Sequence, residues 1–331
     1  MSVPSCLVSS VSWIEENILN DSAAPERSIV CRQRLAGGNL GFMSPFVRSP
    51  AMNDLSIRTM RPDEISIAVN WAAAEGWNPG LADDACFAAV DPEGFLIGEL
   101  DGAPAATVSC VNYSASFAFL GFYIVREDLR GRGYGLRIWD AAIAHAGPRV
   151  IGLDGVVAQQ QNYRKSGFEL AYANARYGGI VAAPDAPQAG IMALAEVPLA
   201  AVEAYDATVF PAPRPAFLHA WIGSPGHVGC ALMRDGGLVG WGVIRPCRKG
   251  CKIGPLVADD RVTAEVVLSA LLASVGGGEI FLDVPSINRD AVALAQDLGL
   301  VPVFETARMY TGAILPLQLE RVFGVTTFEL G

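Results

Sequence analysis

The sequence predicts an α/β protein of the α+β type, made of two tandem domains that share one fold. Each domain is expected to have a mixed, mostly antiparallel sheet with helices on both faces. A chain of 331 residues exceeds what one hydrophobic core usually organises, and strand-like and helix-like segments recur in a similar order in both halves. In addition, Gly121 and Gly167 of the first half correspond to Gly254 and Gly299 of the second. The two pairs are separated by nearly the same number of residues, which indicates a duplication.

The first domain is expected over residues 54–180. It follows an extension, residues 1–53, that is predicted to be poorly ordered because Ser, Pro, Gly and Arg are frequent in it. Apolar periodicity predicts the order strand, helix, helix, strand, strand, strand, helix, strand, helix, strand. The ten segments are 55–60, 61–76, 82–89, 95–100, 105–112, 117–125, 133–146, 150–156, 159–166 and 168–172.

A connector rich in Pro, Ala and Gly, residues 181–190, is expected to lead into a second domain over residues 191–331. The same periodicities predict its elements. The strands are expected at 191–194, 230–233, 240–244, 252–258 and 279–284, and the helices at 199–207, 262–275 and 288–298.

Composition favours a soluble cytoplasmic protein and excludes two classes of partner. Half of the residues are apolar, but no segment has the length of a clean membrane span. The net charge is −10, which is unfavourable for general nucleic-acid binding. An anionic ligand must therefore be held by local groups rather than by a broad positive field, and the oligomeric state stays open.

The seven cysteines are scattered and include no Cys-x-x-Cys pair, so we expect free thiols in a reducing compartment. Cys247 and Cys251 have the closest spacing. The chain has only three histidines, none of them near this pair, and we therefore expect no metal site.

The segment Arg130-Gly-Arg-Gly-Tyr-Gly135 lies between the apolar strand 117–125 and a helix that begins near Gly133. The first amides of a helix are unpaired and its dipole favours negative charge there, so this arrangement predicts an anion site. Glycines let the backbone approach the anion, and arginines add charge-assisted contacts. A dinucleotide fingerprint requires Gly-x-Gly-x-x-Gly after a first parallel strand, and this loop fits neither condition.

Two motifs together resemble the GNAT acetyltransferase superfamily. Arg130-x-x-Gly133-x-Gly135 is similar to its acyl-CoA pyrophosphate loop, and Tyr163-Arg-Lys165-Ser-Gly167-Phe168 is similar to its Tyr-x-Lys-x-Gly-Phe signature. Further fragments resemble a bacterial tandem-GNAT subgroup with a divergent second domain, over about residues 55–312. These fragments are 75–80, 91–96, 121–125, 153–156, 205–206 and 253–256, with Phe210 and Arg214.

The resemblance implies that acetyl-CoA is the cosubstrate and assigns a set of residues to it. The implied cofactor-binding residues are Tyr123, Ile124, Val125, Arg130, Gly131, Arg132, Gly133, Tyr134, Gly135 and Lys165. Strand 123–125 would bind the pantetheine arm like an added strand, in a gap beside strand 150–156, and the glycine loop would hold the pyrophosphate. Gly131 is expected to serve the turn, and Lys165 either approaches a phosphate or points to water.

Tyr163 would protonate the departing thiolate, because a phenol with a reference pKa of about 10 remains a proton donor at neutral pH. The alternative for Tyr163 is a helix residue that packs at the sheet edge. Asp154, at the carboxyl end of its strand, is the predicted general base, whereas Trp77, Asn78 and Asp84 are the predicted acceptor-binding residues. Each of these acids could instead be a solvated or capping carboxylate.

The second domain is expected to be degenerate. The segment after its corresponding strand, residues 258–265, contains no glycine and three acids, which would repel a pyrophosphate. Ala295 occupies the position that matches Tyr163 and cannot donate a proton. We therefore expect this domain to be structural or to form a wall of the acceptor site.

These expectations combine into an acyl-CoA-dependent N-acyltransferase that transfers acetyl to a primary amine, most simply a small molecule, by direct attack in a ternary complex. Two alternatives stay open. One is a non-catalytic protein that binds acyl-CoA for regulation, and the other is an acetyltransferase acting on protein N-termini or lysines.

Overall fold

The computed structural model describes residues 54–184, 190–314 and 316–331, so the expected extension over residues 1–53 lies outside the described residues. The strands are β1 Ser56–Thr59, β2 Phe95–Leu100, β3 Ala103–Asn112, β4 Phe117–Val125, β5 Val150–Val156, β6 Glu169–Ala182, β7 Ile191–Ala193, β8 Val228–Arg234, β9 Gly237–Pro246, β10 Cys251–Ala258, β11 Gly277–Pro285, β12 Val301–Tyr310 and β13 Val322–Gly324. The α-helices are α1 Ile65–Ala74, α2 Asp83–Phe87, α3 Tyr134–Ala146, α4 Gln160–Lys165, α5 Leu199–Asp206, α6 Pro215–Ile222, α7 Arg261–Val275 and α8 Arg289–Asp297.

All of these strands belong to one sheet, in which the two halves of the chain exchange their last long strands. The order is β1-β2-β3-β4-β5-β12-β6-β11-β10-β9-β8-β7, with β13 beside β10. Strand β12 of the second half pairs with β5 of the first, and β6 of the first half pairs with β11 of the second. Only β4–β5 and β10–β11 are parallel among the described pairs. The sheet is therefore mixed and mostly antiparallel, as predicted.

Helices cover both faces of this sheet. In β4, Phe117 and Phe119 join a core with α1, α2, α5 and α6, whereas Ala118 and Leu120 join a core under α3. This follows from the two-residue period of a strand. The first of these cores includes helices from both halves, and a further core lies under α7 and α8. The predicted fold class is confirmed.

The predicted elements of the first half match the structure except that β6 extends ten residues past the predicted end. In the second half three elements were not predicted at all, namely β12, β13 and α6. Strands β6 and β12 carry buried arginines, Arg176 and Arg308, whose acidic partners lie on strands of the other half. A strand with buried charges shows neither an apolar run nor a clean alternation, so its pattern does not reveal it.

The continuous sheet bears on the expected division of the chain. Strand β6 includes residues 181 and 182, so the predicted connector begins inside a strand. The boundary between two domains at 181–190 stays a prediction, and "first half" and "second half" below mean the residues before and after that connector.

Candidate active site

The candidate site begins at a gap between β4 and β5. The two strands pair in parallel as far as Leu120 and Leu153, and the described residues form no β4–β5 pair beyond that point. A bulge follows at once in β4, where Phe122 and Tyr123 together face a single residue of β3. Phe122 has φ +48°, and its carbonyl accepts a hydrogen bond of 2.9 Å from Thr107 Oγ1. A bulge bends its strand, which accounts for the end of the β4–β5 pairing and leaves a gap between these two strands.

The N-terminus of α3 lies at one end of this gap. Gly133, with φ +81°, is the N-cap residue and has no side chain to accept the first amides of the helix. A Cβ on Gly135 would lie 2.5 Å from the hydroxyl oxygen of Tyr123, so a larger residue there would force the Tyr123 side chain or the helix to move. The Tyr134 side chain is buried, which leaves only its backbone for a ligand, and Arg132 is exposed.

Two cations that were predicted to contact the cofactor are engaged by the protein itself. Arg130 donates through Nε to the Val125 carbonyl at 2.8 Å and through Nη2 to Glu75 Oε1 at 2.6 Å. Lys165 Nζ donates to Asn162 Oδ1 at 3.2 Å. Arg130 therefore connects the glycine loop to the end of β4 and to the segment after α1. Arg132, the other arginine of the motif, is exposed.

Tyr163 lies against the part of β5 that has separated from β4. Its ring stacks on Trp139 with the centroids 5.8 Å apart, and a Cβ on Gly155 would collide with it. Burial raises the pKa of the Tyr163 hydroxyl to about 12. The phenol therefore stays protonated throughout the neutral range, as a proton donor must.

Asp154, the predicted general base, lies in a buried ion pair. Arg308 Nε and Nη2 donate to its two oxygens at 2.8 and 2.6 Å, and Asn174 Nδ2 donates to Oδ1 at 2.7 Å. Burial would lower the pKa of Arg308, but the carboxylate outweighs it and holds that pKa well above its ordinary value. Because both oxygens of Asp154 are held by donors, this geometry favours a structural role over the predicted one.

Sequence reasoning missed Arg308, although a signal existed. Arg176 and Arg308 have the spacing of Gly167 and Gly299, so they are equivalent positions of the duplication. Arg176 makes the matching bidentate pair with Asp283 of β11, through Nε at 2.6 Å and Nη2 at 2.8 Å. Each exchanged strand thus places an arginine on an aspartate of the other half.

The three predicted acceptor residues do not converge on one point. Trp77 is half-buried, and its carbonyl accepts a hydrogen bond of 2.6 Å from Arg176 Nη1. The Asn78 side chain is bonded to the backbone of Lys249 in the second half, and Asp84 Oδ1 accepts the amide of the next residue in its own short helix. Trp77 and Asn78 belong to the segment 77–81, called the 77–81 loop below.

The corresponding place in the second half is filled by the protein. Strands β10 and β11 pair only over Cys251–Ile253 and Ile280–Leu282, and β13 then pairs with β10. At the N-terminus of α7, Asp260 Oδ1 accepts the amide of Thr263 at 2.7 Å. The helix that matches α3 is therefore capped by a carboxylate, and a strand of the same chain lies beside β10 where the β10–β11 pairing ends.

Comparison with protein families agrees with this duplicated geometry. Residues 59–168 match the model described as the acetyltransferase (GNAT) family, and residues 202–324 match the one described as the acetyltransferase (GNAT) domain. The chain belongs to the GNAT acetyltransferase family. It carries two GNAT domains in tandem, and the predicted resemblance is confirmed.

Relatives of this GNAT protein support the same assignment. The chain is 33% identical to the holothin acyltransferase of Pseudoalteromonas sp. (strain SANK 73390) over 274 residues, which cover 81% of this chain and 92% of the relative. The fold is similar to a candidate acetyltransferase from Pyrococcus horikoshii, with a TM-score of 0.72, 24% identity and coverage of 90% and 100% of the two chains. It is also similar to a tandem GNAT protein from the clavulanic acid biosynthesis pathway, with a TM-score of 0.53, 14% identity and coverage of 78% and 99%.

The chain is thus an acyltransferase of the GNAT type, and acyltransferases of this family use acyl-CoA. Among the residues that the structure describes, no helix combines the length and apolarity needed to cross a membrane. Within the same residues, no three His, Cys, Asp or Glu side chains are grouped so that they could hold a metal ion.

Proposed function

We propose that this protein is an N-acyltransferase that transfers acetyl from acetyl-CoA to a primary amine of a small molecule. Three features beside one gap support the proposal. These are the bulged edge of β4, the N-terminus of α3 with Gly133 as its cap, and Tyr163, whose ring lies against Gly155 of β5.

The residues at the gap fit the chemical parts of acyl-CoA. The first-turn amides of α3 and the exposed guanidinium of Arg132 suit a pyrophosphate, because both favour negative charge. The backbone of Tyr123, Ile124 and Val125 suits the amide groups of pantetheine, which would bind as an added strand. Arg130 would support this site indirectly, since its Nε is bonded to the Val125 carbonyl and its Nη2 to Glu75.

In the proposed reaction, the acceptor nitrogen attacks the thioester carbonyl carbon, and the carbon–sulfur bond breaks. Backbone amides at the β4 bulge would polarise the carbonyl oxygen, as donors of an oxyanion site do. Tyr163 would give its proton to the departing sulfur, the acylated nitrogen would release one proton to solvent, and Tyr163 would regain a proton from solvent. The amine would reach the site deprotonated, having lost its proton to water, because both oxygens of Asp154 are held by Arg308 and Asn174.

The choice of a small molecule is supported by the relative named holothin acyltransferase. The test is thiol release with acetyl-CoA and with longer acyl-CoA thioesters across a panel of amines. The panel contains holothin, simple primary amines, a peptide with a free N-terminus and a lysine peptide blocked at its N-terminus. We expect turnover with small amines and with acetyl-CoA.

The same panel decides between the alternatives. Turnover with the peptides alone would replace the proposal with a protein acetyltransferase. Thermal stabilisation by acetyl-CoA without thiol release for any amine would instead indicate a protein that binds acyl-CoA for regulation.

A further inference from the structure

The 77–81 loop is fastened to the second half by its backbone. The Leu81 amide donates to the Pro246 carbonyl at 3.0 Å, and the Arg248 amide donates to the Pro79 carbonyl at 3.2 Å. Between these two bonds, Gly80 forms an antiparallel bridge with Cys247. The loop therefore pairs with the turn after β9 as a short extra strand.

Side chains reinforce this pairing. Asn78 Nδ2 donates to the Lys249 carbonyl and Asn78 Oδ1 accepts the Lys249 amide, both at 2.9 Å. Asp83 Oδ2 accepts the Gly80 amide at 2.8 Å, while Arg245 Nε donates to Asp83 Oδ1 at 2.9 Å. Asp83 and Arg245 are both buried, so this carboxylate connects the loop to a charge inside the second half.

The opposite side of the same segment reaches the candidate site. Glu75, two residues before the loop, receives Arg130, which also bonds the end of β4. Phe87 of α2 packs on Phe122, the bulge residue with positive φ, with ring centroids 5.7 Å apart. Phe87 also stacks on Trp221 of α6, with centroids 6.3 Å apart. Residues 75–87 thus lie between the second half and the β4 bulge.

We infer that the second half holds the 77–81 loop as a preformed wall of the acceptor site, and that Asn78 and Asp83 are positioning residues for that wall. This inference rests on the proposed function. It gives the second half a task in the reaction although its own gap is filled. Asn78 acts through the loop, because its amide group is already engaged at both ends by Lys249.

The test is the variant Asn78→Gly. Asn78 has φ +52°, a conformation that glycine adopts without strain, so the variant removes two hydrogen bonds and keeps the backbone path. The matched control is Asn70→Ala. It removes the 2.6 Å bond from Arg248 Nη2 to Asn70 Oδ1, which also joins the two halves, and Asn70 is an exposed residue of α1 that lies outside the loop.

We expect KM for the amine to rise about tenfold in Asn78→Gly, the effect of losing two neutral hydrogen bonds. The KM for acetyl-CoA and kcat should stay within about twofold of wild type, a split that general destabilisation would not produce. Amide hydrogen exchange at Gly80 and Leu81 should become faster in Asn78→Gly and stay unchanged in Asn70→Ala.

Two outcomes overturn the inference while the proposed function survives. The first is a loop that exchanges faster without any change in the KM for the amine. The second is a loop that stays protected in Asn78→Gly. A wild-type protein that acylates no amine would overturn the proposed function, and the acceptor role of the loop with it.

Discussion

The sheet contains one arrangement twice, and among the residues that the structure describes a further strand occupies it only in the second half. In the first half, β4 and β5 separate after Leu120, and glycine caps the helix that follows. In the second half, β10 and β11 separate in the same way, but β13 pairs with β10 there and Asp260 caps the helix. In the second half, β13 and the Asp260 carboxylate thus occupy the positions that correspond to those proposed for pantetheine and pyrophosphate in the first half.

A second comparison separates structural groups from catalytic ones. Asp154 lies beside the gap of the first half, and Asp283 lies beside the filled gap of the second. Each forms a bidentate ion pair with an arginine of an exchanged strand. A carboxylate that served catalysis would have no reason to keep this arrangement in the half without a site. The duplication therefore argues that both ion pairs hold the exchanged strands together.

The largest effect is expected from breaking these pairs. Asp154→Asn and Asp283→Asn should each lower the free energy of unfolding by about 3 kcal/mol or more, because each leaves a buried arginine unpaired. Denaturant unfolding of the two variants measures this. At a temperature where both are folded, kcat should be similar to wild type in both. A hundredfold loss of kcat in Asp154→Asn alone would restore Asp154 as the base.

Next in size is the substitution of the proposed acid. Tyr163→Phe should lower kcat at least a hundredfold, equivalent to about 2.7 kcal/mol, while the dissociation constant of acetyl-CoA stays nearly unchanged. Tyr205→Phe is the control in the second half, where the hydroxyl donates to Asp259 at 2.9 Å, and it should leave kcat unaltered. Thiol-release kinetics would contradict the assignment if both variants turned over like wild type.

The pH profile sharpens the same assignment. The folded pKa of Tyr163 is about 12, above the ordinary value of about 10, so the proton is retained as pH rises through 10. Wild-type kcat at saturating amine should therefore show no alkaline decline from this group below about pH 11. A decline with an apparent pKa near 9 that disappeared in Tyr163→Phe would contradict the raised pKa.

Local patterns predicted much of this molecule, and long-range pairing accounts for what they missed. The apolar run of β4, the glycines before α3 and the motif at Tyr163 are each contained in a few consecutive residues. By contrast, Arg308 pairs with a residue more than 150 positions earlier, and the 77–81 loop pairs with a turn of the second half. Such contacts leave no periodicity in the sequence. The sequence therefore predicted that Asn78 lies in a loop, but not that its side chain bonds the backbone of Lys249.

A smaller effect, on the affinity for acetyl-CoA, should follow when the N-cap glycine of α3 is replaced by an aspartate like the one that caps α7. Gly133→Asp imitates Asp260, and Gly133→Asn has nearly the same shape without the charge. Both residues tolerate the left-handed backbone of this position better than most. Calorimetric titration should show acetyl-CoA binding to the Asp variant about 30-fold more weakly than to the Asn variant, because the carboxylate repels the phosphates. Equal affinities would show that the pyrophosphate lies elsewhere.

The smallest expected effect concerns the strand that fills the second gap. A Cβ on Gly324 would lie 2.7 Å from Leu282 Cδ1 and 3.3 Å from Leu256 Cβ, so Gly324→Ala should overpack β13 and cost about 1 kcal/mol of unfolding free energy. Because Asp260 still caps α7 in Gly324→Ala, and because Asp259 and Glu265 of the segment 258–265 remain to repel phosphate when Asp260 is also replaced, loosening the strand should not create a second site. Titration should give one acetyl-CoA per chain in wild type, in Gly324→Ala and in Gly324→Ala combined with Asp260→Gly. A second equivalent in the combined variant would show that the second half retains a site that its own chain blocks.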